Sequence, residues 1–229
     1  VALHDLNNDD EADFYECVSN RFKTTDGGHN YITGLQLDNK GRWYIASANQ
    51  GVCQIDEKAK TLKVLGSGLR NPNGLAINED ASVVLTSVQE GSWTPASAIC
   101  DMSQGDYFGF GGPRGGQYVE PMLYLPRGID NSSGGQTYIK SEKWGPVKGQ
   151  WVHFSMGYAR PFLLLRELIN GKSQSAALVL PVEFKSGSHR GRFSPYDGQL
   201  YVAGSQGWAN YGVDDGSLQR LRFVGGDCP

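Results

Sequence analysis

The chain has 229 residues and a formal charge of −3, from 21 basic and 24 acidic side chains. This balance provides no large positive field to hold nucleic acid or anionic lipid, so we expect neither as a partner. The sequence also lacks the run of ~18 apolar residues that a membrane span needs. Its 31 glycines are typical of many short strands joined by tight turns.

The first 26 residues combine an acidic loop with one strand. In the stretch "DLNNDDEAD", oxygen-bearing side chains alternate at Asp5, Asn7, Asp9, Glu11 and Asp13. Alternating spacing of this kind lets a tight loop wrap one cation, so these residues predict a structural Ca²⁺ site. The alternative is a solvated acidic turn, because Asp10 stands where such loops have glycine. The strand predicted next, "ADFYECVSNRF", has the character of an outer strand of a sheet.

A hairpin pattern recurs along the rest of the chain. The stretch "GLQLDNKGRWYIASANQG" (34–51) aligns with "GLAINEDASVVLTSVQEG" (74–91) and with the shorter "GRFSPYDGQLYVAGSQG" (191–207). A degenerate copy, "GGQTYIKSEKWGPVKGQWVHFSMG" (134–157), has a longer turn. Each copy reads as a strand, a polar turn rich in Asp, Asn or Gly, and a second strand.

Further strands are predicted behind these hairpins. They are "GVCQID" and "LKVLGSG" after the first, "SAICDM" and "DYFGFG" after the second, and "GSLQRLRFVGG" near the end. The long apolar stretch 161–181 could form one helix, but Asn170-Gly171 at its centre favours two strands joined by a type I′ turn. Units of four strands that repeat in this way indicate an all-β fold, a β-propeller with four-stranded antiparallel blades. A β-sandwich is the alternative.

This pattern gives a single propeller domain over residues 1–229, in which about four blades are present. We place the blades at 27–68, 69–124, 125–186 and 187–229, after a leading segment 1–26. The leading strand suggests that these blades are part of a larger ring. Four cysteines without Cys/His clustering argue against zinc, and no haem-attachment motif occurs in the chain. An even number of cysteines favours a secreted or periplasmic protein, although buried free thiols fit as well.

Candidate site residues lie in the loops before the innermost strands, since such loops converge at one end of a propeller channel. These loops are "GGHN" (27–30), "GLRNPNG" (68–74), "LPRGIDNSSGG" (125–135) and "SGSHRGRF" (186–193). Arg70, Arg127, Arg190 and Arg192 would form a cationic funnel there, suited to a ligand with several carboxylates. Alternatively, these arginines bond loop carbonyls and acidic turns and hold the blades together.

The motifs of the predicted blades resemble those of a known protein family. The stretches "HNYITGLQLDNKGRWYIASANQG", "LRNPNGLAINEDASVVLTSVQEG" and "QGDYFGFGGP" resemble motifs of soluble pyrroloquinoline-quinone (PQQ) sugar dehydrogenases of the glucose/sorbosone type. The later half is more similar to the propeller region of bacterial proteins that carry a c-type haem domain. The resemblance covers residues from about 27 to 224. It implies a six-bladed ring, a PQQ cofactor, Ca²⁺, a sugar or other small-molecule substrate, and a c-type cytochrome as electron acceptor.

The resemblance also implies roles for individual residues. His29 matches the base that accepts the substrate hydroxyl proton, while Arg70 and Asn71 match residues that contact the cofactor carbonyls. Arg190 and Arg192 stand where cationic partners of the cofactor carboxylates are expected, and Arg127 is a further cation of the funnel. The sequence departs from the family after Glu90-Gly91, where "SWTPAS" replaces an acidic loop associated with calcium.

Two other functions remain open at this stage. One is a non-catalytic propeller that uses the same loops to bind a glycan or a protein. The other is a polysaccharide lyase in which His29 acts as the base beside uronates that arginines neutralise. The aromatic side chains, among them Trp144 and Trp151, are expected to pack between blades rather than stack on sugars.

Overall fold

The computed structural model describes residues 1–24, 31–91, 96–112, 114–207 and 215–225. Within these ranges the chain forms eighteen β-strands and one short 3₁₀ helix, Glu142–Val147. No helix in the described ranges is both long and apolar enough to cross a membrane. The all-β fold predicted from the repeats is confirmed.

The strands form one hairpin and four larger sheets. The N-terminal hairpin pairs β1 (Ala2–His4) with β2 (Phe14–Glu16). The first sheet contains β3 to β6, which are Ile32–Leu37, Trp43–Ser47, Gly51–Asp56 and Thr61–Ser67. The second contains β7 (Gly74–Ile77), β8 (Val84–Val88), β9 (Ser97–Asp101) and, after β10 (Asp106–Tyr107), β11 (Leu123–Leu125).

The third sheet contains β12 to β15, which are Ser133–Tyr138, Trp151–Ser155, Arg160–Ile169 and Lys172–Val179. The fourth contains β16 (Arg190–Phe193), β17 (Leu200–Ser205) and β18 (Gly216–Leu221). Neighbouring strands within the second, third and fourth sheets are antiparallel, as predicted. The strand predicted from "DYFGFG" is different, because β10 pairs in parallel with β6 of the first sheet and β11 takes the outer place in the second.

The four sheets pack face to face in succession. Each adjacent pair shares an apolar cluster: Tyr44 with Leu75, Leu85 with Phe162, and Phe154 with Val202 belong to three such clusters. Successive side chains of a strand point to opposite faces of its sheet. Each inner sheet can therefore bury apolar side chains on both faces. This serial packing is that of propeller blades, and it is unlike the two layers of a sandwich.

The innermost strands β3, β7, β12 and β16 lie side by side in chain order. Glycine permits their close approach, since a Cβ at Gly74 would lie 2.4 Å from the oxygen of Gly134. A Cβ at Gly134 would in turn lie 2.5 Å from the oxygen of Ser188. Convergence of the inner strands explains why "GL" and "GG" begin the repeats, and it creates a channel with one cleft at each end.

Local turn chemistry follows the sequence predictions. Asn170 and Gly171 have φ values of 50° and 77°, as a type I′ turn requires, and they join β14 to β15. The two-strand interpretation of 161–181 is thus correct. Trp144 contacts Phe193 of the fourth sheet with ring centroids 5.2 Å apart, which confirms its packing role between blades. Cys17, Cys53 and Cys100 are free thiols, and Cys228 lies outside the described residues.

Candidate functional site

A cleft of about 430 Å³ lies where the inner strands β3 and β7 begin, beside the residues that precede β12. We call this cleft the mouth of the channel. Its lining comprises Tyr31, Ile32, Thr33, Asn71, Pro72, Asn73, Gln89 and Ser132. Three blades contribute to it, and its volume falls in the range of small-molecule sites. The segment "NPN" at 71–73 was part of the predicted site, and the structure places it in the wall of the mouth.

Asn73 is held at both ends of its side-chain amide. Its Oδ1 accepts a hydrogen bond from Arg190 Nη2 at 3.2 Å, and its Nδ2 donates to the carbonyl of Ser133 at 3.0 Å. These bonds connect β16, the start of β7 and the start of β12. Asn73 is therefore fixed in orientation by the two following blades, as a preorganised binding residue must be.

Arg70 and Asn71 share one acceptor, Gln89. The Oε1 atom of Gln89 lies 3.3 Å from Arg70 Nη1 and 3.1 Å from Asn71 Nδ2. Arg70 also donates to the carbonyl of Glu90, and its stem lies over Gly91. Asn71 has φ 42°, a left-handed conformation that asparagine tolerates better than most residues. Arg70 thus supports the wall of the mouth, while Asn71 and Gln89 line it.

Arg190 stands directly behind Asn73. Its Nη1 donates to the carbonyl of His189 at 2.8 Å, and it forms no ion pair with any described residue. Burial, together with the charge of Arg192, lowers the pKa of Arg190 from its ordinary value. Burial and the charge of Arg190 likewise lower the pKa of His189. A bound anion would relieve this unfavourable accumulation of positive charge.

The four arginines of the predicted funnel do not meet in one cleft. Arg127 is largely exposed and lies 3.7 Å from Glu90, measured from Nε to Oε1. Arg192 lines a second cleft, where the inner strands end, and not the mouth. Of the predicted cations, Arg190 and Arg70 lie next to the mouth. The alternative interpretation, in which arginines bond loop carbonyls, describes Arg70 well.

Sequence reasoning missed a buried polar cluster beneath the mouth. His153 Nε2 lies 3.1 Å from Asp130 Oδ2, and both side chains are inaccessible to solvent. Ser133 also donates to this carboxylate, and Gln136 Nε2 donates to His153 Nδ1 at 2.9 Å. Both ring nitrogens of His153 therefore have a partner, Gln136 at Nδ1 and Asp130 at Nε2. Asp130 thereby anchors the loop that carries Ser132 into the mouth.

The cluster also changes the ionisation of its carboxylate. Burial acts to raise the pKa of Asp130, but the donors His153 and Ser133 outweigh it and hold that pKa below the ordinary value. Asp130 lies in "LPRGIDNSSGG", one of the loops predicted to precede an inner strand. The histidine gave no comparable signal, because in "WVHFS" it occupies one position of an otherwise ordinary buried strand.

The predicted N-terminal calcium ligands lie together in the exposed loop between β1 and β2. Asp5 accepts hydrogen bonds from the backbone N–H groups of Asn8, Asp9 and Asp10, and Asp13 accepts one from Leu6. Asn7 and Asp9 bond to each other. Backbone donors thus occupy oxygens that a cation would need. Calcium binding by Asp5, Asn7, Asp9, Glu11 and Asp13 stays a prediction.

Among the described residues, no group of three or more His, Cys, Asp or Glu side chains is placed to hold a metal ion. The predicted base His29 and the segment 92–95 after Gly91 lie outside the described residues. Tyr31, two residues after His29 in the sequence, lines the mouth.

Among the solved structures with a similar fold are three sugar dehydrogenases. An oxidoreductase of Thermus thermophilus, assigned as a glucose dehydrogenase, has a TM-score of 0.61 at 16% identity, over 87% of this chain and 68% of that chain. The soluble aldose sugar dehydrogenase of Escherichia coli in its apo form has a TM-score of 0.55 at 15% identity, over 74% and 59%. A further glucose dehydrogenase has a TM-score of 0.58 at 16% identity, over 83% and 61%.

The fold is that of the sugar-dehydrogenase propellers. Comparison with protein-family models and with curated proteins gave no match. The chain spans about 59 to 68% of the length of the three solved structures. The resemblance seen in the blade motifs is confirmed by this shared fold.

Proposed function

We propose that this chain is the propeller of a quinone-dependent oxidoreductase that oxidises a sugar or alcohol hydroxyl at the mouth. One observation carries the proposal. The segment that most resembles the sugar-dehydrogenase motifs, "LRNPNG", is also the segment whose Asn71, Pro72 and Asn73 line the mouth. The sequence motif and the cleft therefore coincide.

The donors around the mouth suit an anionic ligand that carries carbonyl groups. Arg190 supplies a half-buried positive charge without a carboxylate partner among the described residues. The side-chain amides of Asn71, Asn73 and Gln89 supply polar groups in fixed orientations. PQQ, a planar quinone with carboxylate groups, has this chemistry, and we propose that these residues would hold it.

When bound, PQQ supplies the acceptor for a hydride that leaves the carbinol carbon of the substrate. His29 takes the hydroxyl proton in this proposal, because a neutral imidazole near pH 7 can act as a base. Arg190 stabilises negative charge at the mouth without moving, since Asn73 and the carbonyl of His189 hold its guanidinium. The carbonyl product and one proton leave the site.

Dye reduction tests this function directly. Purified protein is incubated with PQQ and Ca²⁺, and reduction of an artificial electron acceptor is followed with a panel of aldoses and alcohols. We expect turnover that requires PQQ. His29→Ala is expected to lower kcat about 100-fold or more, whereas His4→Ala, a control in β1 whose imidazole bonds Glu16 at 2.8 Å, is expected to keep full activity.

Two outcomes would contradict the proposal. One is absence of both PQQ binding and turnover, and the other is full activity of His29→Ala. Saturable binding of a glycan without any turnover would identify the non-catalytic propeller instead. Release of unsaturated products that absorb in the ultraviolet would identify the lyase.

Export, a six-bladed ring and a c-type cytochrome as electron acceptor remain parts of the same proposal. The cytochrome is the most accessible of the three to experiment. Replacement of the dye by a reduced-minus-oxidised assay with a small c-type cytochrome should give substrate-dependent haem reduction. A protein that reduces dye but never the cytochrome would require another acceptor.

A further inference from the structure

A second cleft, of about 450 Å³, lies where the inner strands end, at the other end of the channel from the mouth. We call it the far cleft. All four inner strands contribute to it, and it shares no lining residue with the mouth. The polar side chains in its wall include Gln36, Asn39, Glu79, Lys140 and Arg192. The proposed oxidation does not involve this cleft.

The charges of the far cleft are not balanced. Arg192 and Lys140 contribute two positive charges and Glu79 one negative charge. Neither cation forms an ion pair with any described residue. Arg192 is held in place nonetheless, because it donates to the carbonyl of Gly191 at 2.9 Å and to that of Leu35 at 3.3 Å. The side chain of Arg192 is exposed in the cleft, and partial desolvation by the surrounding residues lowers its pKa from the ordinary value.

Hydrogen-bond acceptors stand beside these cations. Gln36 donates from Nε2 to the carbonyl of Leu75 at 2.6 Å, which fixes its amide and leaves Oε1 as the remaining acceptor. The carboxylate of Glu79 is exposed in the same cleft. Groups of this kind accept from hydroxyls. The far cleft therefore combines a cationic side with a side that accepts hydrogen bonds.

We propose that the far cleft binds a small hydroxy acid of the sugar-acid class. Its carboxylate pairs with Arg192 and Lys140, and its hydroxyl groups donate to Gln36 Oε1 and to Glu79. An arginine held by backbone carbonyls is suited to a planar carboxylate. This site is separate from the mouth, and it does not depend on whether the mouth oxidises sugars.

Titration calorimetry with D-gluconate tests the site on the full chain, with D-sorbitol as the probe that keeps the hydroxyls but lacks the carboxylate. Gluconate should bind saturably and sorbitol should not. Arg192→Gln and Lys140→Gln should each weaken gluconate binding about ten-fold or more, since each removes one charge-assisted contact. Arg220→Gln and Lys63→Gln, which remove matched charges outside the cleft, should leave it unchanged.

Two further variants distinguish gluconate binding in the far cleft from binding in the mouth. Arg190→Gln and Asn73→Ala alter the mouth, and the proposal expects both to bind gluconate as the unaltered protein does. The far-cleft site is refuted if gluconate fails to bind, if sorbitol binds as well as gluconate, or if the mouth variants and not Arg192→Gln abolish binding. Far-UV circular dichroism and thermal unfolding of every variant show that lost binding is not lost folding.

Discussion

Two buried aspartates stand at opposite ends of the inner strands and are satisfied in different ways. Asp38, in the turn after β3, accepts from Arg42 Nε at 2.7 Å, from Tyr44 Oη at 3.0 Å and from two backbone N–H groups. Asp130, before β12, accepts from His153 and Ser133 through Oδ2, whereas its Oδ1 is buried without a hydrogen-bond partner.

Asp38 is a structural anchor of its turn, whereas Asp130 lies close to the proposed binding site. Every contact of Asp38 lies within one hairpin and serves to hold its turn. Asp130 joins residues from two strands and a loop, and this loop carries Ser132 into the mouth. Incomplete satisfaction of a buried carboxylate is costly. It is tolerated here next to the cleft where we propose binding.

Replacement of Asp130 should cause the largest loss in the free energy of unfolding. Asp130→Ala leaves the donors of His153 and Ser133 unpaired in a cluster that is inaccessible to solvent. We expect a loss of about 3–5 kcal/mol in the free energy of unfolding. Urea denaturation measures it, with Glu183→Ala as an exposed control. A loss below about 1 kcal/mol would mean that the cluster is hydrated.

Removal of the turn aspartate should cost less. Asp38→Ala frees two backbone N–H groups and the Arg42 guanidinium, but Arg42 is 24% exposed and can bind water. The expected loss is about 2–3 kcal/mol, again from urea denaturation. The exposed turn residue Asp80 provides the comparison, and Asp80→Ala should change stability by less than about 1 kcal/mol. Equal losses at Asp38 and Asp130 would remove the distinction between the two aspartates.

Acid should destabilise the protein through both aspartates. Burial opposes ionisation at Asp38, but the backbone N–H and guanidinium of Arg42 hold its pKa below the ordinary value, as His153 does for Asp130. The unfolded chain then takes up protons first, below about pH 4. The contribution of each carboxylate is therefore full above that pH and is lost as pH falls towards the folded-state pKa.

The measurement is the free energy of unfolding between pH 6 and the acid transition. Asp130→Asn and Asp38→Asn should each reduce the acid-induced loss, because the substituted group no longer titrates. An unchanged acid slope in both variants would show that other carboxylates govern acid unfolding.

Single hydroxyl deletions should give the smallest effects. Ser133→Ala removes one donor to Asp130, and Tyr44→Phe removes a hydroxyl that bonds Asp38 and Gln54. Each should cost about 1 kcal/mol. Tyr44→Phe should be the less costly of the two, since Asp38 keeps three other donors. The reverse order would mean that the hydroxyl of Tyr44 contributes more to stability than the hydroxyl of Ser133.

The sequence predicted local features well because their physics is local. Asp38 and Gly41 mark a hairpin turn by residue type alone, and Asn170-Gly171 distinguishes two strands from a helix. The asparagines of "LRNPNG" precede an inner strand in the sequence, and they line the mouth in the structure.

Contacts between residues that lie far apart in the chain could not be predicted from the sequence. His153 meets Asp130 across 23 residues and two strands, and no pattern within "WVHFS" indicates it. Arg190 and Arg192 share one face of β16, yet the first reaches Asn73 at the mouth and the second lines the far cleft. Residue type gives the charge of a side chain, and only packing of the blades decides which cleft receives it.

A crystal structure of the protein grown with PQQ tests the central claim most directly. The proposed function predicts density for the quinone in the mouth, beside Asn71 and Asn73 and within reach of the Arg190 charge. Quinone bound in the far cleft, or no quinone at saturating concentration while the mouth is well ordered, would contradict it.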